Sequence, residues 1–353
     1  MSKRISSRQG GFSLIELMVA LAIGSLLIAG AVYVYSQSRN TYAVNETVAR
    51  LQENGRYVMS LIEPELQLAG YYGFTNAPND FKYIRNGSTG SPVLWSGMRA
   101  VAPAVAGLGT THACRTNYAV DLVQTIEGSN DVYTLGCAGL PSALAATDTL
   151  TIRRAATNLA AAPVAGRLQV LVSRLSPNNQ FILADGLLPA TPALEPNLVE
   201  LRDLIVESFY VSPDSNTRVG LPTLRRKMLI DGPAIRDDEI MPGVQDLQIQ
   251  FGIDTGDYNG DGIIDAGLDS DGNGIPDVVR GIATRYVNPN FANIDRYQVV
   301  SVRIWLLMRA EQPETGFSDA RPYVYAGKNF TPADGFRRVL MSRTIQLRNS
   351  RAL

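Results

Sequence analysis

Residues that commonly do chemistry are scarce in this 353-residue chain, which has one histidine, His112, and two cysteines, Cys114 and Cys137. Zinc sites draw on clusters of Cys and His, so the scarcity argues against zinc chemistry. It equally disfavours a Ser/His/Asp hydrolase, which would have to be built around His112. That histidine reads as a surface loop residue, and no role is assigned to it. An excess of either charge is missing too: 32 Lys and Arg stand against 33 Asp and Glu, for a net charge of -1. Nothing in that balance points to nucleic acid or an anionic surface as a partner. With 45% hydrophobic and 18% charged residues, the chain has the composition of a folded protein rather than a disordered one. Its length suffices for one large domain or two smaller ones. Together these shortages point away from an enzyme. Acidic pairs exist in any chain with 33 acidic residues, but no motif picks one out for catalysis.

What the sequence does have is a long apolar run near its start. Phe12 to Tyr35 spans 24 residues with a single formal charge, Glu16. As a helix it would be about 36 Å long, enough to cross a hydrocarbon core with some tilt. Lys3, Arg4 and Arg8 precede it, which places the N-terminus in the cytoplasm and the rest of the chain beyond the membrane. A cleaved secretory signal would need a shorter apolar core and a small-residue processing site, and here the run continues into a helical pattern instead. A plain signal anchor explains the length but not the carboxylate. An ionisable group at the centre of a spanning helix costs on the order of 2.5–3.5 kcal/mol, and less near an end. Glu16 lies in the first turns, where the helix dipole favours negative charge. The dipole lowers the cost without supplying a reason for the residue.

The stretch "GGFSLIELMVALAIGSLL" resembles the N-terminus of type IV pilins and type II secretion pseudopilins. The resemblance implies a short basic leader, residues 1–11, ending at Gly11. A prepilin peptidase would cut before Phe12, whose new amine would then be N-methylated. It also implies that Glu16 pairs with the N-terminal amine of a neighbouring subunit during assembly, and a charge pair in lipid is far cheaper than either charge alone. Many major pilins carry a proline well inside this segment. None occurs between Phe12 and Tyr35, so local melting there on assembly is not expected.

Beyond Arg39, Val44, Val48, Leu51, Val58 and Ile62 trace one helix stripe, with Gly55 filling the gap. The reading is a long N-terminal helix over 12–66, transmembrane over 12–35 and amphipathic after that, with Pro64 ending or kinking it near Glu63. "LQENGRYVMSLIEPELQLAGYYG", Leu51 to Gly73, resembles the helix end of minor pilins of the PilW type and, more loosely, J-type pseudopilins. PilW-like chains often have a cysteine just after the Gly-Tyr-x-Gly turn, where Phe74 stands here. The head, 67–353, opens with a Gly-, Pro-, Ser- and Asn-rich stretch from Tyr71 to Gly109 that reads as loops with short elements. In an oxidising compartment Cys114 and Cys137 would form a disulfide around a 22-residue insert, the alternative being two buried thiols.

Strand patterns follow in "DTLTIRR", "LQVLVSR", "QFILAD", "DLIVESFYV", "DLQIQFGI", "YQVVSVRIWLLMRA" and "RRVLMSRTIQLRN". In "DLQIQFGI", Leu247, Ile249, Phe251 and Ile253 face one way and Gln248 and Gln250 the other, which predicts a half-buried strand. The expected fold is therefore α+β: a long helix packed on a β-rich antiparallel head. The final strands also resemble the terminal region of PilW-like chains. No internal boundary is read within the head, although its length permits two lobes.

Between two of these strands lies "DTGDYNGDGIIDAGLDSDGNGIPD", Asp254 to Asp277. It contains two nine-residue units, one with Asp257, Asn259, Asp261, Gly262 and Asp265, the other with Asp269, Asp271, Asn273, Gly274 and Asp277. Oxygen side chains at positions 1, 3, 5 and 9, with glycine at 6, match the first part of an EF-hand-type loop. Ile263 and Ile275 would each supply a backbone carbonyl at position 7. Leu268 and Arg280 stand where an EF-hand has its bidentate glutamate, which argues against full helix-loop-helix hands. Asp269 directly follows Leu268, so the first ion could borrow it, as linear calcium repeats do; the second unit has no such successor. The expectation is calcium, structural or regulatory, with Mg²⁺ less suited to a flexible loop. The competing reading is a solvated acidic turn, which the repeated spacing disfavours.

The family resemblance implies a minor pilin that primes pilus assembly and sits near the fibre tip, supporting motility and adhesion. Its partners would be the major pilin, other minor pilins, the prepilin peptidase, the inner-membrane assembly platform and a tip adhesin. It would be held in the inner membrane before assembly and carried outside afterwards. Two alternatives stay open: a J-type pseudopilin of a secretion system, and a membrane-anchored calcium-dependent binding module.

Overall fold

The computed structural model describes residues 11, 13–75, 81–83, 93–94, 114, 118–174, 180–188, 198–272, 274, 276, 279–292, 294 and 297–349. Two compact units are distinguished, Met1–Arg50 and Leu51–Leu353. The first contains the apolar part of helix α1 (Leu14–Gln67), whose large side chains from Leu14 to Tyr35 are exposed. By length and composition this helix can cross a membrane.

In the second unit the rest of α1 buries one stripe. Leu51, Gly55, Val58, Met59, Ile62 and Leu66 are its buried residues, at the spacing one helix face requires. Gly55 is small because the sheet comes close: a Cβ there would run into Met341 Sδ and lie 3.3 Å from Met308 Cγ. Pro64 does not end the helix near Glu63 as its type predicts; α1 runs on to Gln67 with Pro64 inside its last turn. Glu65, in that same turn, is clamped by Arg154 through two bonds of 2.6 and 2.8 Å. The pair ties the end of the helix to the sheet below it.

Fifteen strands follow among the described residues. They are β1 (Lys82–Tyr83), β2 (Val93–Leu94), β3 (Ile126–Ser129), β4 (Thr149–Ala155), β5 (Ala165–Ser173), β6 (Phe181–Asp185) and β7 (Val199–Ser212), then β8 (Thr223–Ile230), β9 (Ala234–Pro242), β10 (Val244–Asp254), β11 (Arg285–Val287), β12 (Gln298–Arg309), β13 (Tyr323–Tyr325), β14 (Lys328–Phe330) and β15 (Arg338–Gln346). Nine form one sheet in the order β2-β1-β6-β5-β7-β4-β3, with β8 joined to β7 and β9 to β8. The long strand β7 is its hub, pairing with β5 through Val199–Asp203, with β4 through Leu204–Phe209 and with β8 through Glu207–Ser212. A second, antiparallel sheet has the order β11-β10-β12-β15.

The main core lies between α1 and these sheets. Val58, Ile62 and Leu66 meet Leu247, Ile249, Phe251, Val302, Ile304 and Leu306 from the second sheet and Leu150, Ile152 and Phe209 from the first. Burying each such side chain contributes about 1.5–3 kcal/mol. The α+β architecture expected from the pattern is thus present, with the inner face of β10 formed by the four apolar residues its alternation predicts. Its outer face differs from a half-buried strand. Gln248 is buried because Asp246, Tyr325 and Lys328 assemble over that side, with Lys328 Nζ 3.0 Å from Asp246 and Gln248 bonded to Asp246 at 3.0 Å. Cys114 and Cys137 are joined as a disulfide.

Candidate functional site

Two regions carry the candidate residues: the start of α1 and the loop between β10 and β11. At the helix start, Leu17 N–H donates to Ser13 O at 3.1 Å, which makes Ser13 the N-cap. Glu16 Oε2 accepts the Ser13 N–H at 2.9 Å. This is one half of a capping box, Ser-x-x-Glu, in which the third helical residue satisfies the backbone of the cap. Glu16 therefore has a partner within its own chain. The pattern was legible in "SLIE" and was missed there. Gly11 is exposed; Phe12 lies outside the described residues, as does His112.

The loop after β10 is closed at its base by Asp254, which is fully buried. Its Oδ1 accepts Gly256 N–H at 3.1 Å and Tyr258 O–H at 2.8 Å, and its Oδ2 accepts Ile282 N–H at 3.0 Å. Tyr258 O in turn accepts Arg280 N–H at 2.7 Å, and the Arg280 guanidinium lies 4.2 Å from the centre of the Tyr258 ring. Burial pushes the Tyr258 phenol up; the Arg280 N–H opposes this and the Asp254 carboxylate adds to it. Thr255 and Thr284 close the same base, oxygen to oxygen, at 2.7 Å. None of these contacts uses an acidic side chain of the repeated units, although Tyr258 belongs to the first of them.

At the tip the two units fold alike. Asp257 accepts Gly260 N–H at 2.7 Å and Gly262 N–H at 2.8 Å; Asp269 accepts Gly272 N–H at 2.8 Å and Gly274 N–H at 2.9 Å. These are the fourth and sixth residues of each unit, and all four glycines have left-handed φ between 72° and 84°. A Cβ would strain that conformation, so glycine is required at position 4 as well as position 6. The second shared glycine is a repeat signal the sequence reading passed over. Within the first unit, Asn259 accepts Asp261 N–H and Asp261 accepts Ile263 N–H, both at 2.8 Å.

Asp257, Asp265 and Asp269 line one cavity of about 760 Å³. Asp265 is part-buried, and its Oδ1 is covered and accepts no hydrogen bond from the described residues, while its backbone N–H is bonded to Gly256 O at 2.9 Å. A buried carboxylate oxygen without a donor is costly and calls for a cation or a donor. Among the described residues no three His, Cys, Asp or Glu side chains are gathered tightly enough to hold a metal ion. Asp257 and Asp269 turn their oxygens onto their own backbone. The donors are all hard oxygens, so the set fits a hard cation such as calcium rather than a soft metal. Asn273, Ile275 and Asp277 of the second unit lie outside the described residues; Asp271 lies within them, exposed.

Comparison with known families bears on both regions. Residues 208–349 match the family described as Type IV Pilus-assembly protein W, and residues 6–32 match the prokaryotic N-terminal methylation motif. The two matches together support a pilin-like protein of the PilW type. The PilW match runs from within β7 to just past β15, and so includes the second sheet and the acidic loop. The methylation match covers Gly11, Phe12, Glu16 and most of the apolar run. No curated protein and no solved structure matches the chain. PilW-type proteins are structural components of the type IV pilus, and the prepilin motif with its apolar helix fits membrane anchoring.

Proposed function

We propose that this PilW-type protein is a minor pilin that primes type IV pilus assembly and is incorporated near the fibre tip, supporting motility and adhesion. The observation that carries the reading is the pairing of a methylation motif over residues 6–32 with a PilW match over 208–349 in one chain. On this reading the peptidase cuts between Gly11 and Phe12, Phe12 is N-methylated, and the head stays on the far side of the inner membrane until extraction. It then enters a fibre with the major pilin and other minor pilins, beneath a tip adhesin. Glu16 serves twice. In the lone subunit its carboxylate caps the helix through Ser13, and on assembly its charge meets a neighbour's amine. The acidic loop binds calcium through Asp257, Asn259, Asp261, the Ile263 carbonyl and Asp265, with a second, weaker site over Asp269–Asp277. No catalysis is assigned to any residue.

The test is piliation of a strain lacking this chain. Surface pili should fall sharply while the major pilin is still made, and the wild-type chain should restore them. Glu16→Gln keeps an oxygen for the Ser13 N–H but removes the charge, and should not restore them. Normal piliation in the deletion strain would overturn the reading. A defect confined to exoprotein release would move it to the secretion pseudopilins.

A further inference from the structure

We infer that the free edge of β15 takes up an extended, carboxylate-bearing strand from another subunit of the fibre. The inference rests on the fibre reading above and adds where the head meets a neighbour. β15 ends the second sheet and pairs with β12 alone. Ala310 N–H donates to Arg337 O at 2.8 Å and Leu347 N–H to Val300 O at 2.9 Å, so the odd-numbered residues of this stretch turn their backbone toward β12. Leu340, Ser342, Thr344 and Gln346 therefore turn their N–H and C=O groups outward. Arg338 does the same at the start of the strand, where its C=O accepts from Arg321 at 3.4 Å. No strand among the described residues pairs with the remaining four.

Folded proteins blunt such an edge with a short strand, charge, proline or a bulge. The other terminal strands of the two large sheets follow that rule. β2 has two residues, β11 three and β3 four. β9 is as long as β15, but it carries Arg236, Asp237, Asp238 and Glu239 and a register shift against β8. β15 instead runs nine residues in unbroken register with β12 and holds no proline. Its central charge, Arg343, is drawn onto α1 by Glu63 at 2.9 Å, and Ser342, Thr344 and Gln346 are left exposed.

Charge decides what fits there. Arg303 donates to Thr344 Oγ1 at 3.2 Å, and Arg348 is exposed just past the strand. Neither arginine pairs with a carboxylate among the described residues. Two copies of this chain joined edge to edge would bring these arginines together, and like charges across a strand pair are destabilising. A neighbour's strand with carboxylates facing Arg303 and Arg348 gains the backbone bonds and the charge pairing together.

The experiment complements a deletion strain with the full chain or single variants and measures how much of each enters sheared pili, scaled to its level in the membrane. Thr344→Pro removes one outward N–H and leaves the bonds to β12 in place. Its incorporation should fall at least about fivefold, the worth of one hydrogen bond, while Thr344→Ala enters as wild type does. Arg348→Glu, outside the strand, should fall by a similar factor, and Arg348→Lys should not. Urea midpoints of the purified full chains in detergent show which variants are folded, and should Thr344→Pro prove unfolded, Arg348→Glu decides alone. Wild-type incorporation of Arg348→Glu, or of a folded Thr344→Pro, overturns the inference while the fibre reading stands. A loss as large in Thr344→Ala overturns it too, because the side chain and not the backbone would then be what matters. A wild-type chain absent from sheared pili overturns the fibre reading and the inference with it.

Discussion

Gly128 in β3 packs directly against β10 of the second sheet, and alanine at this position measures how tight that approach is. A Cβ there would lie 2.5 Å from Ile249 Cδ1, 3.0 Å from Pro289 Cγ and 3.1 Å from Phe251 Cζ. Ile249 and Phe251 belong to the main core, so no contact is with a side chain free to swing into solvent. Removing a glycine from a strand should by itself stabilise by about 0.5–1 kcal/mol. Overpacking of a filled core costs about 1–3 kcal/mol. The steric term wins, and Gly128→Ala should be destabilised by about 1–2 kcal/mol, with melting lowered by roughly 2–4 °C. Ile249→Val deletes the nearest atom, Cδ1, and alone should cost about 0.5–1.5 kcal/mol. In the double variant the two costs should fall short of their sum by about 1 kcal/mol, because the shortened side chain admits the new methyl. Urea unfolding of the four proteins in detergent gives the cycle. Additive costs, or a Gly128→Ala protein more stable than wild type, would refute the close approach.

Asp148 gives a pH dependence of known sign. Burial raises its carboxyl to about 7 from the usual 3.8, against N–H bonds from Asp131 and Ile249, with the Asp131 and Asp246 charges adding to the rise. The fold therefore favours the protonated acid, and that stability is fully present below about pH 4 and lost as pH rises through about 7. Denaturant midpoints between pH 4 and 7 should be flatter for Asp148→Asn than for wild type, and parallel curves would refute the assignment. At the end of α1, Arg154→Ala strands Glu65 in a partly buried site and should cost roughly 3 kcal/mol in chemical denaturation. Arg154→Lys should rescue little, because a lysine cannot make the two-pronged bond.

How far the sequence could be read depended on whether its patterns were apolar. The α1 stripe and the alternation of β10 and β12 were legible because each places like residues on one face, and the core fills from those faces. The β8–β9 hairpin was not read. Its residues include Arg225, Lys227, Asp237 and Glu239, which look like a solvated segment. In the fold Arg225 lies 2.8 Å and Lys227 2.6 Å from Asp237, and all three are largely buried. Charges paired across two strands leave no signature in linear hydropathy, although Asp231-Gly232 between them was a turn signal. At the loop, the acidic units were visible because their spacing is local. Asp254 was not seen as the clasp of the base, because its partner Ile282 lies 28 residues away. The Ser13–Glu16 cap was missed for the opposite reason: the search for a distant partner for Glu16 passed over the one three residues back.

The central claim, that this chain is processed as a prepilin and built into a fibre, is tested most directly by mass spectrometry of pili sheared from cells. The account predicts its peptides in the sheared fraction, at low abundance, with a mature N-terminus at Phe12 carrying a methyl group and residues 1–11 absent. A chain recovered only from the inner membrane, still beginning at Met1, would contradict it.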